Sequence, residues 1–243
     1  MEMTIYGRNP VKTAIEEGKA FEKVFVLREL TGEFEVLVRQ YCRDQNIPIS
    51  KVPAVKLDHL TRNKNHQGVV AILSPIVYNN FEDIFSQDDT LGAIALILDG
   101  ITDVRNVGAI ARSALAFGVK GLILGTGGSV SIHEDAIKSS SGALLKIPVC
   151  REKNTLIAIE KLQQMGYYVW AADGNARQSI RQTKAEGPVA IIIGAEGKGV
   201  SKEALKIADT KVRIEHEKTM DSLNVSVATG IILYELYHQM TGE

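Results

Sequence analysis

The sequence is poor in cysteine: its 243 residues include two, Cys42 and Cys150. They are far apart and match no metal-ligand spacing, so no metal site is expected and reduced thiols are. No apolar stretch reaches the roughly 18 residues that span a bilayer. The opening residues, "MEMTIYGRNPVKTAIEEG", lack the basic and apolar regions of a signal peptide. A cytoplasmic protein with no membrane partner is the expectation. Charge of one sign is also missing, with a formal net charge of −1, so total charge gives nucleic-acid binding no support. Internal repeats and low-complexity tracts are absent.

What is there divides near residues 75–90. The N-terminal part alternates short elements. Asn9-Pro10 reads as an N-cap with proline at the first helical position, opening "VKTAIEEG". "KVFVL" (23–27) and "QGVVAIL" (67–73) read as strands, and "EFEVLVRQYCRDQN" (33–46) as a helix. "SPIVYNNFEDIFSQDDT" (74–90), with a proline, two asparagines and four acids, reads as a linker. Beyond it run longer βα units. "GAIALILDG", "VKGLILG", "YYVWAAD" and "VAIIIG" are predicted strands; "NVGAIARSALAFG", "NTLIAIEKLQQMG" and "DSLNVSVATGIILYELYHQM" are predicted helices. Such alternation predicts an α/β fold with a parallel sheet between helices. Ligands of such sheets bind beyond the strand carboxyl ends. The predicted organisation is 1–73, a linker at 74–90, and 91–243.

Charge divides unevenly. Residues 1–75 hold 11 Lys+Arg against 9 Asp+Glu, and the remainder 17 against 20. Lys51, Lys56, Arg62 and Lys64 stand against Asp58 alone in 51–66, with His59 and His66. That stretch is either a solvated helix face and loop or a contact for a polyanion.

Three turns could hold a ligand by backbone groups. In "GAEGKGVS" a glycine-rich turn with Glu196 follows an apolar strand. It is no P-loop, because an isoleucine stands where that loop needs its first glycine. "LGTGGSV" gives only Gly125-x-Gly127-x-x-Val130, a broken dinucleotide fingerprint. In "TMDSLNVSVATG", Asp221 or Ser222 is a candidate N-cap, while Asn224 falls inside the first turn. In "LDGITDVRNVGAIARSALAFG", Asn106 could cap a small, apolar helix that carries Arg112.

Together the blocks resemble the SpoU-type branch of the SPOUT RNA methyltransferases. Asp103, Asn106, Gly108 and Arg112 match the first block, Gly194, Glu196 and Gly199 the second, and Ser222 to Ser226 the third, in collinear order over 98–235. "SSSGALLKIPV" (139–149) is similar to the segment between the first two. "IYGRNPVKTAI" and "HQGVVA" resemble the substrate-binding domain of the subfamily that 2′-O-methylates a guanosine of bacterial 23S rRNA; tRNA-directed relatives share it. The chain departs from the pattern at Val104-Arg105 and at Glu215-His216 after Ile214.

The resemblance implies a C-terminal α/β-knot domain, a deep trefoil, behind a small α/β substrate-binding domain. It implies methyl transfer from S-adenosylmethionine to a ribose 2′-hydroxyl, and a homodimer through the knotted domain. It places the cofactor against Gly194, Ala195, Gly197, Ile214, Leu223 and Asn224. It assigns catalysis to Arg112, Asn106, Glu196, Ser222 and Asn224. An arginine base is awkward with a pKa above about 12, so Arg112 is expected to hold a phosphate and stabilise the alkoxide. Glu196 is expected to organise the site, pairing with backbone N–H groups or with Arg112, of its own or of the other subunit. Arg8, Lys51, Lys56, Arg62, Lys64 and His66 are the expected RNA contacts. A non-catalytic RNA-binding protein that kept the fold is the other reading.

Overall fold

The computed structural model describes residues 3–86, 93–125, 131–217 and 222–242. The chain forms two compact units, Met1–Val77 with Ser131–Glu134, and Tyr78–Val130 with Asp135–Glu243.

The first unit is a four-stranded sheet with helices. In chain order it runs β1 (Thr4–Tyr6), α1 (Arg8–Glu16), β2 (Phe21–Leu27), α2 (Glu33–Asp44), β3 (Ile49–Val52), α3 (Ala54–Thr61) and β4 (Val69–Leu73). The strand order is β1-β4-β2-β3, with only β2 and β3 parallel. Val11, Ala14, Val24, Val26, Val38 and Val69 fill its core. Glu22 is buried, and its Oε1 accepts the Ile132 N–H at 2.9 Å. Helix α1 begins at Arg8, so Asn9-Pro10 does not open it: Gly7, at φ 90°, is the N-cap, and Pro10 sits third in the helix. Proline is harmless there because the first four helical N–H groups lack intrahelical acceptors anyway.

The second unit is a seven-stranded, wholly parallel sheet. It comprises α4 (Phe81–Phe85), β5 (Ile94–Asp99), α5 (Val104–Ala116), β6 (Gly121–Gly125), α6 (Glu134–Ser139), β7 (Val149–Glu152), α7 (Thr155–Gln164), β8 (Tyr168–Ala172), β9 (Gln178–Ser179), β10 (Val189–Gly194), α8 (Lys202–Ile207), β11 (Thr210–Arg213) and α9 (Val225–Thr241). The strand order is β7-β6-β5-β10-β8-β11-β9. β5 and β10 are buried through nearly all their length, as unbroken apolar runs in a covered parallel sheet should be. From β5 the chain moves on to β6 on one side; from β10 it moves on to β11 on the other. Their shared edge is thus a topological switch point, where such sheets open a crevice.

The stretch 74–90 is not a linker over its described length. Asn80 accepts the Glu82 N–H at 2.8 Å and caps α4, whose Phe81, Ile84 and Phe85 are buried in the core of the second unit. A Cβ at Gly121 would lie 2.7 Å from Ile84 Cγ2, so glycine there makes room for this helix. Lys161 of α7 pins it from the side. Its Nζ donates to Glu82 Oε1 at 3.0 Å and to Glu152 Oε1 at 2.7 Å, and lies 4.8 Å from the Phe81 ring centroid. Both cysteines are free and buried, Cys42 in the first core and Cys150 in the second. No helix among the described residues is long and apolar enough to cross a membrane.

Candidate functional site

The carboxyl ends of β5 and β10 meet at the switch point, with Gly194 in register with Asp99. Asp99 ties neighbouring segments there: Oδ1 accepts from Thr155 Oγ1 at 2.8 Å, and Oδ2 accepts the Ser201 N–H at 2.7 Å. After Gly194 the chain turns back on itself, with the Gly199 N–H donating to the Ala195 carbonyl at 2.7 Å. A Cβ on Gly194 would fall 2.0 Å from both Gly199 C and Val200 N. Glycine at 194 is therefore required by the turn itself. Gly197 and Gly199 are the open positions: their φ values are 76° and 67°, and a Cβ on either would meet nothing within 4 Å.

Helix α5 carries Asn106 and Arg112. Its N-cap is Asp103, whose Oδ1 accepts the Arg105 N–H at 2.8 Å; Asn106 is in the first turn and is not the cap. Three hydrogen bonds, from the Arg105 N–H and side chain and from the Asn106 backbone, hold the Asp103 carboxyl below its ordinary pKa. One turn on, a Cβ on Gly108 would come within 1.9 Å of Ser139 Oγ and 2.8 Å of the Ser140 N atom. This close approach places the following serine beside Arg112, whose Nη1 donates to Ser141 Oγ at 3.4 Å. Ser141 has φ 52° and precedes Gly142 at φ 81°. Gly108→Ala should push the 139–141 turn off α5, costing about 1–3 kcal/mol of stability by overpacking and displacing Arg112. Urea unfolding with a parallel methyl-transfer assay checks both effects.

Helix α9 supplies the third block. Asn224 is its N-cap: Oδ1 accepts the Ser226 N–H at 2.9 Å and Ser226 Oγ at 2.6 Å. The expected cap Asp221 lies outside the described residues, as do Gly127 and Val130 of the broken fingerprint. Ser222 is exposed and makes no hydrogen bond among the described residues. With its oxygen committed to the cap, the Asn224 amide turns its nitrogen outward, and Nδ2 donates to Asn106 Oδ1 at 3.2 Å. Asn106 Nδ2 in turn donates to Glu196 Oε2 at 3.5 Å. A chain of polar groups, Ser226–Asn224–Asn106–Glu196, thus joins all three sequence blocks. The expected alternatives for Glu196 included a pair with Arg112; in this chain Asn106 is its partner. Ile214 and Leu223, both half-buried, offer apolar contact.

These residues fit S-adenosylmethionine. Open glycines, backbone polar groups and two aliphatic side chains suit its adenosine. Among the described residues no group of three His, Cys, Asp or Glu is placed to hold a metal.

In the first unit the expected RNA contacts separate. Lys56 and Lys64 are exposed and without ion-pair partners among the described residues, and Arg62 caps α3 at φ 53°. Lys51 is paired with Glu35 at 3.5 Å. That pairing and the stronger hydrogen bond from Arg39 hold the Glu35 carboxyl below its ordinary pKa. His66 is enclosed: Nδ1 accepts the Gly68 N–H at 3.0 Å, which leaves Nε2 to donate to Asp58 Oδ1 at 3.1 Å. His66 therefore fastens its loop and has no ring nitrogen left for RNA. Arg8 is exposed at the start of α1, with its guanidinium 5.8 Å from the Phe34 ring centroid.

Residues 93–234 match the SpoU rRNA Methylase family, and residues 4–78 match the RNA 2′-O ribose methyltransferase substrate-binding domain. A protein of Staphylococcus haemolyticus described as a TrmH family tRNA/rRNA methyltransferase is 35% identical over 98% of this chain and 96% of its own. The AdoMet-bound rRNA methyltransferase of Sinorhizobium meliloti superposes with a TM-score of 0.61 at 25% identity, covering 97% of this chain and 86% of that one. The TrmH/SpoU tRNA modifying enzyme of A. aeolicus superposes with a TM-score of 0.56 at 26% identity, covering 66% of this chain and 81% of that one. Fold, site and matches define the class, an S-adenosylmethionine-dependent RNA ribose 2′-O-methyltransferase. The chain belongs to the SpoU rRNA Methylase family.

Proposed function

We propose that the chain methylates the ribose 2′-hydroxyl of a guanosine in 23S rRNA, in the cytoplasm. The observation that carries the reaction is the Ser226–Asn224–Asn106–Glu196 chain standing at the switch point with Arg112 on the same helix as Asn106. S-adenosylmethionine, when bound, supplies an activated methyl group on a sulfonium. Gly197, Gly199, Ala195, Ile214 and Leu223 would hold it. The chain's own residues would then orient the 2′-hydroxyl towards that methyl group and take up its proton. Arg112, exposed and held among the described residues by Ser141 alone, offers its guanidinium fork to a phosphate and to the developing alkoxide. Both polar atoms of the Asn106 amide are engaged, so it orients Glu196 and Asn224, and its second N–H and second oxygen lone pair are left for the ribose. Glu196 Oε2 accepts from Asn106, and Oε1 has no hydrogen-bond partner among the described residues, so it is available to substrate. The family's trefoil threading, implied by the resemblance, would fix the β10 and α9 segments against each other.

Ribosomal RNA is favoured over tRNA because the Sinorhizobium rRNA methyltransferase matches along 97% of this chain, while the A. aeolicus tRNA enzyme matches 66%. Mapping 2′-O-methyl positions in rRNA and tRNA with and without the gene tests this. A lost tRNA site transfers the assignment to tRNA, and no lost site in either supports a non-catalytic binder.

We also read the enzyme as a homodimer through α9. Val227, Ile231 and Tyr234 are 52%, 39% and 53% exposed, spaced four and three residues apart on one helix face, and the Phe117 ring lies beside Tyr234. Light scattering should give twice the 26.5 kDa chain mass at micromolar concentration, and Ile231→Asp should give the chain mass. A monomeric parent protein refutes the dimer.

A further inference from the structure

Beside the α1 start, the first unit has a cleft of about 580 Å³ lined by Arg8, Asn9, Leu27, Glu29, Leu30, Thr31, Gln67 and Gly68. Its size suits a small ligand, since such sites run from about 300 to 1,000 Å³. The lining has two parts. Leu30 is buried and Leu27 half-buried, giving an apolar floor. Around it stand Asn9, Glu29 and Thr31, exposed polar side chains with no hydrogen-bond or ion-pair partner among the described residues.

Arg8 is fixed in place at the cleft wall. Its N–H donates to Gln67 Oε1 at 2.8 Å, its Nε reaches the Gln67 carbonyl at 3.4 Å, and its guanidinium lies against Phe34. Gln67 holds a left-handed backbone, φ 49°, between the Gly7 and Gly68 turns at 90° and 85°. A Cβ on Gly68 would sit 3.2 Å from Leu30 Cδ1, so this turn lies directly on the floor. A non-glycine residue held at positive φ is a conformation that surrounding structure must enforce. Here it aims the Gln67 side chain at Arg8 and leaves the guanidinium Nη groups open.

The cleft therefore offers one acceptor-only carboxylate, one guanidinium hydrogen-bonded through Nε to the Gln67 carbonyl, and an apolar floor. Guanine complements that set. Its Watson–Crick edge presents two adjacent donors, N1–H and N2–H, which match the two oxygens of a carboxylate. Its O6, or a flanking phosphate, matches the guanidinium. In a duplex that edge is occupied by pairing, so the base must come from a loop or bulge, where proteins read single-stranded RNA.

We propose that this cleft, through Glu29 and Arg8, binds an unpaired guanosine of the substrate RNA. The proposal rests on the reading of residues 4–78 as the RNA-binding unit, and makes the cleft, rather than the basic stretch 51–66, its selective element.

The test uses the full chain and labelled heptauridine oligoribonucleotides carrying a single central G, A or C, with all-U as reference, read by fluorescence anisotropy at fixed salt. The G oligomer should bind about tenfold more tightly than all-U, the size of one bidentate base contact. Glu29→Gln should erase that preference and leave all-U affinity unchanged; Glu29 has no partner to lose, so the fold should be undisturbed. Arg8→Ala should weaken every oligomer and flatten the log–log salt slope by about 0.7. Equal affinity for all four, preference for C or A, or a G preference that survives Glu29→Gln overturns the proposal. Methyl transfer from labelled S-adenosylmethionine to bulk RNA from gene-deleted cells is measured alongside. Its absence counts against the enzymatic reading alone, while normal transfer with no G preference counts against the cleft alone.

Discussion

Arg112→Ala should lower methyl transfer by about 10²–10³-fold, the usual loss when one preorganised charge-stabilising donor is removed. S-adenosylmethionine affinity should stay the same, because Arg112 is not among the residues proposed to hold it, the glycine turn, Ile214 and Leu223. The fold should barely notice. The side chain is exposed, and its one hydrogen bond among the described residues, 3.4 Å to Ser141 Oγ, leaves no buried partner stranded; surface changes of this kind stay within about 0.5 kcal/mol. Arg112→Lys should fail nearly as badly, since a point charge does not reproduce a planar fork. Single-turnover rates with titration calorimetry separate the two effects. Near-normal turnover in Arg112→Ala removes the residue from the mechanism.

The second large effect is on stability. Lys161→Met should cost about 3–5 kcal/mol, because it leaves the Glu152 carboxylate without its cation in a buried position. The Glu152 side chain is 5% exposed, and Lys161 is its ion-pair partner at 2.7 Å. That loss is a large share of the roughly 5–15 kcal/mol that holds a typical domain together. Met keeps most of the methylene packing on Phe81, so the loss reports the charge. Adding Glu152→Gln to Lys161→Met should recover part of it in urea titrations; no recovery would assign the effect to packing. Burial alone would lower the Lys161 pKa, but its hydrogen bonds to Glu152 and Glu82 outweigh it and raise it. The bond from Lys161 lowers that of Glu82. The Lys161 contribution is thus full below the ordinary lysine pKa and lost as pH rises through the raised value. The Glu82 contribution is present above the ordinary glutamate pKa and lost as pH falls through the lowered one.

The long elements were legible because burial on both faces writes itself as unbroken apolar runs: β5 and β10 fall inside the predicted strands. The short ones were not. β3 (ISKV), β7 (VCRE) and β11 (TKVR) are four residues each, with polar side chains that read as loop. α4 has five residues, too few for a helical period to stand out, and its acids and asparagines read as linker. At the site, all the motif residues were visible but their partners were not. Asn106 and Glu196 are 90 positions apart, Asn224 and Asn106 118 apart, and no local pattern encodes such a pairing. The partners of the basic stretch were hidden for the same reason. Lys51 is paired with Glu35 of α2, and His66 with Asp58 eight positions away, so net charge in a sequence window exceeds the unpaired charge there. Glu29 and Thr31 carried no signal at all; only the fold sets them beside Arg8 and Gln67.

Each core contains one thiol. Cys42 is 2% exposed and Cys150 0% exposed, and burial pushes the Cys42 thiol up to about 12 and raises that of Cys150 as well. Neither will react while its surroundings are closed, since alkylating reagents require both access and thiolate. The chain therefore carries its own pair of clocks. The rate at which each cysteine takes up a label measures how often its own unit opens, with no engineered probe. Peptide-resolved alkylation of the unmodified protein can rank the opening of the two units separately. If S-adenosylmethionine slows labelling at Cys150 but not at Cys42, cofactor binding stabilises one unit without being felt by the other.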